Sequence, residues 1–370
     1  MGKEVITAKQ AIAMLVMFEL GSALIHATHA RDNQDFWLSY LAATVFALFT
    51  FFIYSRIMIL YPGKNLLDIN RELFGKVAGS IIFATYIFYA FSLGAFVTRH
   101  FTEVIQITSL PETPQYAFAI CIILTCIYIT RNGVETFGRW CLFALPVIIA
   151  IFSLTVVVSA YLFDFQNLKP VLQSDAFLIA DNAFNNYSLP FGESVVFLLV
   201  IDSLNFRKKT LKVFYIGLIL GAFLIAVATL RNILVLGMEN IQLLTSASIS
   251  AVSIIQLTSY LERIEIIVII NLIICGIAKI AVCLAGAVRG TAKLLNLNSE
   301  RQLAAPIGLL MLMLSINVFK NAMQLNEWFD VYRWIFLPVQ VLFPLVTWVI
   351  AEIKTKVHKN KRVKAVEQEN

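Results

Sequence analysis

"YSLPFGES", residues 187–194, opens a long apolar run that continues as "VVFLLVI". Pro190, Gly192 and Glu193 fall within four positions of one another. A proline removes a backbone donor, and a carboxylate is costly where lipid is the solvent. Irregular backbone survives at membrane depth only where protein or a polar cavity covers it. The stretch therefore predicts a broken helix whose freed backbone groups face an interior site.

Composition supports a membrane setting. The chain has 370 residues, 59% hydrophobic and 14% charged, with a mean hydropathy of +0.80. A soluble domain cannot hide that much apolar surface. The net charge of +6 gathers in short connections and in the tail "KTKVHKNKRVKAVEQEN". That distribution suits anionic lipid and argues against a nucleic-acid partner. Cys121, Cys126, Cys141, Cys275 and Cys283 all lie in apolar runs without metal-ligand or disulfide spacing, and read as small hydrophobes. The first apolar segment lacks a convincing cleavage site and reads as a retained span.

A span needs about 20 mostly apolar residues. Ten are predicted, at 7–29, 36–60, 78–101, 115–131, 140–163, 185–202, 211–235, 260–288, 303–319 and 333–352. With the N-terminus inside, Lys and Arg divide 21 inside to 7 outside, with Lys279 within a span, so both termini are expected in the cytoplasm. Residues 62–76 place Leu66, Leu67, Ile69 and Leu73 at near-helical spacing and predict a short amphipathic helix on the inner surface. Residues 237–259 are apolar but interrupted by serines and threonines, and predict a hairpin or short helices on the outer surface. The two segments follow spans 2 and 7, equivalent positions on opposite faces of a five-plus-five inverted repeat. The expected class is an all-α integral membrane protein. It divides into a first repeat (1–163), an external loop (164–184), a second repeat (185–352) and a basic cytoplasmic tail (353–370).

Span 1 is the counterpart of span 6 in such a repeat. It reads "AIAMLVMFELGSALIHA", with Glu19, Gly21 and Ser22 interrupting the apolar run. Glu19 lies 12 residues beyond Thr7, about 18 Å along a helix and near the bilayer midplane. Paired interrupted segments of this kind point to a transporter-type site. Second half-helices are predicted to begin near Gly21–Ser22 and near Gly192. Their amide ends favour anions, although Glu193 is placed to cap one of them itself. Two glutamates suit an amine, a hydroxyl-rich ligand or a proton at least as well as an anion. Lys279 is ten residues before Arg289, about 15 Å from the inner edge. It pairs with a carboxylate, stands where related transporters hold a cation, or snorkels. His26 and His29 lack partners at ligand spacing, and no nucleotide loop, zinc signature or nucleophile elbow is present. No metal, cofactor or enzymatic activity is expected.

With these features in place, the chain resembles the B subunit of bacterial spore germinant receptors, a branch of the amino acid–polyamine–organocation transporter superfamily. The likeness spans nearly the whole chain and rests on "YPGKNLLDINRELFGKVAG", "LPETPQYAF", "RNGVETFGR" and "YSLPFGES" in that order. It implies ten helices in a LeuT-like inverted repeat with helices 1 and 6 broken. It also implies sensing of a small nutrient (an amino acid, nucleoside or sugar) beside an A subunit and a lipoprotein C subunit in the spore inner membrane. The resemblance places the nutrient around Glu19, Leu20, Gly21, Ser22, Pro190, Phe191, Gly192 and Glu193, with helices 3 and 8 lining the site. Proton-coupled amino acid transport is the alternative, and a scaffold with a vestigial pocket is a third.

Overall fold

The computed structural model describes residues 6–23, 35–170, 172, 174–201, 209–241, 244, 246–255, 265–297 and 299–369. Every regular element among them is a helix. The first half holds α1 (Ala8–Ala23), α2 (Phe36–Leu60), α3 (Leu66–Phe74), α4 (Lys76–Thr108), α5 (Gln115–Arg131) and α6 (Val134–Ser159). The second half holds α7 (Ala176–Asn186), α8 (Phe197–Val200), α9 (Thr210–Leu236), α10 (Met238–Ile241), α11 (Ala247–Ser253), α12 (Glu265–Leu294), α13 (Ala304–Asn317), α14 (Ala322–Leu337) and α15 (Phe343–Glu369).

Six of the described segments are long and apolar enough to cross a membrane: Phe36–Leu60, Lys76–Thr108, Val134–Leu162, Thr210–Leu236, Glu265–Leu294 and Val331–Val357. They coincide with predicted spans 2, 3, 5, 7, 8 and 10. The other four predicted spans fall on shorter pieces: α1, α5, the α7–α8 segment and α13. A helix pairs all its interior backbone groups within itself, which is why apolar runs of this length adopt it in lipid. Leu41, Leu124, Phe143, Val157, Phe223 and Leu310 point outward and exposed, an apolar exterior suited to lipid and far beyond the patch a soluble monomer presents.

The predicted amphipathic helix is α3. Asn65 caps it, its side-chain oxygen accepting from the Asp68 amide at 2.9 Å. Leu66, Leu67, Ile69 and Leu73 are buried, Ile69 and Leu73 against Ile53, Ile57 and Ala351. Gly75, at φ +84°, lets the chain turn directly into α4. A Cβ on Gly79 would stand 2.4 Å from the Asn70 carbonyl oxygen, so α3 and α4 touch backbone to backbone there.

Three boundaries differ from the sequence reading. The 164–184 stretch, expected as a loop, contains α7, which packs on α2 as the first half of helix 6. The tail from 353 continues α15 as helix. Span 8, expected to end at 288, continues in α12 to Leu294; its expected first residues, 260–264, lie outside the described residues, as do His26 and His29.

α12 is the centre of the bundle. In its most apolar window 67% of residues are buried, against 22% for the α6 segment, which places α6 at the periphery. α12 packs on α4, α1, α5 and α8, and so contacts both halves of the chain and the broken helix 6.

Candidate functional site

Helix 6 breaks where the opening octapeptide predicts. Leu189 leaves the helical region (φ −129°, ψ 111°), because the ring of Pro190 disfavours a helical conformation in the residue before it. The amide of Gly192 bonds to the Tyr187 carbonyl, so the Ser188 carbonyl lacks its ordinary helical partner and instead accepts from Gln340 Nε2 at 3.2 Å. The chain resumes as a tight 3-10 turn, Gly192–Val196, leading into α8. Gly192 is small because Gln340 occupies the space: a Cβ there would lie 2.6 Å from Gln340 Oε1.

Glu193 sits in the first turn after the break and is fully buried. Its carboxylate accepts from the Lys279 ammonium and, at 3.1 Å, from the Tyr332 hydroxyl. An unpaired ammonium in this core would be costly, and the carboxylate removes that cost. Lys279 comes from α12. Its stem lies on Gly21, where a Cβ would meet the lysine Cβ and Cδ at 2.9 Å. Its Nζ stands 4.7 Å from the centre of the Phe18 ring, a favourable cation–π position. Of the three readings left open for Lys279, pairing with a carboxylate is the one observed, and snorkelling is not.

The network continues across the bundle. Tyr332 and Tyr89 hydroxyls are 3.0 Å apart, and Gln340 Nε2 donates to Tyr89 at 2.9 Å. Since Tyr89 accepts from Gln340 and Tyr332 donates to Glu193, Tyr89 must donate to Tyr332. The donors therefore run one way, from Gln340 through Tyr89 and Tyr332 to Glu193. Ser188 completes the loop by donating to Gln340 Oε1 at 3.2 Å. α4, α12, α14 and both sides of the helix 6 break meet in this one cluster. At its flank, Arg333 of α14 pairs with Asp181 of α7 at 2.8 Å.

Helix 1 differs from its expectation. Among the described residues α1 runs unbroken through Glu19, Leu20 and Gly21 to Ala23, so the break expected at Gly21–Ser22 does not fall there; residues 24–34 lie outside the described residues. Gly21 serves close approach to Lys279 rather than unwinding, and without a proline the ladder of hydrogen bonds is kept. The side chain of Ser22 lies outside the described residues. Glu19 is fully buried beside α9, where a Cβ on Gly221 would fall 1.9 Å from Glu19 Oε2. Neither Glu19 oxygen has a hydrogen-bond partner among the described residues. Leu20, Pro190 and Phe191 are also buried, with Phe191 5.8 Å from the Tyr40 ring.

The structure thus brings Gly21, Lys279, Gly192 and Glu193 into one cluster, and Glu19 lies beside it without a hydrogen bond to it. Sequence reasoning missed Phe18, Tyr89, Tyr332 and Gln340. Single tyrosines in apolar helices carry no spacing signal, but Gln340 in "LPVQVLFP" is an amide in an apolar run next to prolines, and polar groups there act as interhelical glue. Two cavities, of about 460 and 560 Å³, lie apart from the cluster, one between α5 and α12 and one between α2 and α9. Their linings are mostly apolar and include exposed residues such as Leu41 and Ile270, which makes them lipid-facing clefts.

A family model described as "Spore germination protein" matches residues 5–323. The chain is similar to Spore germination protein KB of Bacillus subtilis (strain 168), with 29% identity covering 96% of this chain and 97% of that one. It is 24% identical to Spore germination protein GerQB of Bacillus cereus over 96% of this chain and 95% of the other. Among solved structures it matches MhsT in complex with L-phenylalanine, with a TM-score of 0.70 at 12% identity, covering 95% of this chain and 89% of that one. The nucleobase-cation-symport transporter Mhp1, with bromovinylhydantoin bound, matches with a TM-score of 0.67 at 12% identity, covering 91% and 77%. These two likenesses give the fold: an all-helical LeuT-type bundle.

Proposed function

Because the chain belongs to the spore germination protein family, we propose that it is the nutrient-binding membrane subunit of a germinant receptor. It is an integral membrane protein. In this reading it lies in the spore inner membrane with both termini cytoplasmic, and acts beside an A subunit and a lipoprotein C subunit. Its two repeats, 1–163 and 185–352, enclose the nutrient between helix 1 (Glu19, Leu20, Gly21, Ser22) and the helix 6 break (Pro190, Phe191, Gly192, Glu193).

The observation that carries the reading is the buried Lys279–Glu193 pair at that break. A small ligand entering beside Leu189–Gly192 competes with Gln340 for the bared Ser188 carbonyl and with Lys279 for Glu193. Either competition loosens α12 and α14 from helix 6, and the changed packing passes to the partner subunits. A binding event of this kind needs no chemical step, in keeping with a receptor and not an enzyme.

The test is a strain whose single receptor is this one. Germination, followed as loss of spore refractility over a nutrient panel, is expected for at least one small metabolite and lost when either partner gene is deleted. Germination that persists without the partners, or no response to any nutrient, defeats the reading. Proton-coupled amino acid transport remains the second reading, favoured by the unpartnered buried carboxylate of Glu19. Uptake by the isolated protein in proteoliposomes separates it from the first.

A further inference from the structure

Among the described residues, the core around the break holds two carboxylates and one ammonium, Glu19, Glu193 and Lys279, all buried. Lys279 is committed to Glu193. Glu19 is left without a hydrogen-bond partner among the described residues. A buried carboxylate that accepts no hydrogen bond is neutralised by taking up a proton or pairing with a cation.

The surroundings say which cation fits. From α9, Gly221 offers bare backbone against Glu19 Oε2. From α2, Tyr40 stands near, its hydroxyl already donating to the Ala222 carbonyl at 3.0 Å. From α12 comes Lys279, itself paired with Glu193, and helix 6 adds the ring of Phe191, which packs on Tyr40. Two of these four elements, α2 and helix 6, present an aromatic ring. A hard metal ion wants a cage of oxygens, which rings do not supply, whereas an ammonium is attracted to a ring face. Phe18, the residue before Glu19, already receives one ammonium on its ring, that of Lys279.

We propose that Glu19 is a cation-exchange position, protonated while the site holds no nutrient and deprotonated when the ammonium of a small organic monocation pairs with it. This rests on the nutrient-pocket reading above and names the ligand class within it. The exchange balances: Glu19–COOH plus R–NH₃⁺ gives the Glu19 carboxylate paired with R–NH₃⁺, and one proton leaves to water. Over these three groups the charge is zero before and after, since Lys279 and Glu193 cancel throughout. A neutral polyol has no charge to exchange, and a zwitterion has no net charge to replace that of the departing proton. The ligand class is therefore an aliphatic amine or a basic amino acid carrying one net positive charge.

The experiment uses the full chain in lipid nanodiscs with ethylammonium, potassium and glucose as probes. Ethylammonium is expected to bind with release of one proton per site into weakly buffered medium. The infrared difference spectrum should lose a protonated-carboxyl carbonyl band at the same time. Because proton and ammonium compete, apparent affinity falls about tenfold per pH unit below the Glu19 titration. Glu19→Gln should abolish both signals and weaken ethylammonium binding at least about tenfold. A wild-type protein without a protonated-carboxyl band at neutral pH overturns the proposal, whether or not the variant folds. So does ethylammonium binding unaffected by Glu19→Gln, or displacement of the proton by potassium in place of ethylammonium. If glucose binds and ethylammonium does not, the nutrient pocket stands and the exchange falls. If no probe binds, both fall together.

Discussion

Replacing Lys279 with methionine tests the centre of the cluster. Methionine keeps the volume and the stem that lies on Gly21, but removes the ammonium that Glu193 and the Phe18 ring share. Removing one partner of a buried pair costs about 3–5 kcal/mol, because the other charge stays behind. Glu193 keeps the Tyr332 hydroxyl and can take up a proton, which sets the expectation at the lower end, about 3 kcal/mol. At 1.4 kcal/mol per factor of ten, that shifts the ratio of the conformers held by the pair roughly a hundredfold or more. Germination dose–response at matched protein level should show either loss of response or activation without nutrient. A double-mutant cycle with Glu193→Gln identifies the partner: the double variant should recover most of the loss, since no charge is then orphaned. Lys279→Arg should be intermediate, because the charge is kept while the broad guanidinium suits this narrow passage poorly. If Lys279→Met germinates like wild type, or its effect adds simply to that of Glu193→Gln, the pair does not hold the resting state.

Gly192→Leu should abolish the nutrient response while the protein still reaches the membrane, because the new side chain collides with Gln340; response at normal protein level would move the site away from helix 6. Tyr332→Phe should destabilise by about 1.5–3 kcal/mol, the worth of a hydrogen bond to a charged group, read as a lowered midpoint in thermal unfolding in detergent. Gly79→Val should weaken the α3–α4 contact and lower the same midpoint by about 1–3 kcal/mol, since the obstructing atoms are backbone and cannot rotate away. A cysteine at Ser174 should react with an impermeant reagent from outside, and one at Lys361 only after permeabilisation; the reverse pattern would invert the topology.

The break in helix 6 was legible because proline acts locally: Leu189 deviates for a reason carried by its neighbour. α3 was legible too, since the spacing of Leu66, Leu67, Ile69 and Leu73 is itself the record of the face they bury. The pairing of Lys279 with Glu193 was not, because 86 residues separate them and no local pattern registers which helix faces which. Gly21 misled for a related cause. A glycine marks close approach and unwinding with the same letter, and only the lysine stem lying across it tells them apart. Tyr89 and Tyr332 were silent because an isolated hydroxyl in an apolar run gains meaning only from a partner on another helix.

The Ser188 carbonyl couples shape to charge. Were helix 6 to straighten, that oxygen would return to the Gly192 amide and Gln340 would lose the acceptor that fixes which way its amide faces. A flipped amide presents oxygen to Tyr89, both tyrosines then turn their protons the other way, and Glu193 exchanges a donor for a lone pair. The carboxylate five residues downstream would thus register the curvature of its own backbone through three side chains on two other helices. Bending and protonation become a single coordinate, so a ligand that grips either one operates both.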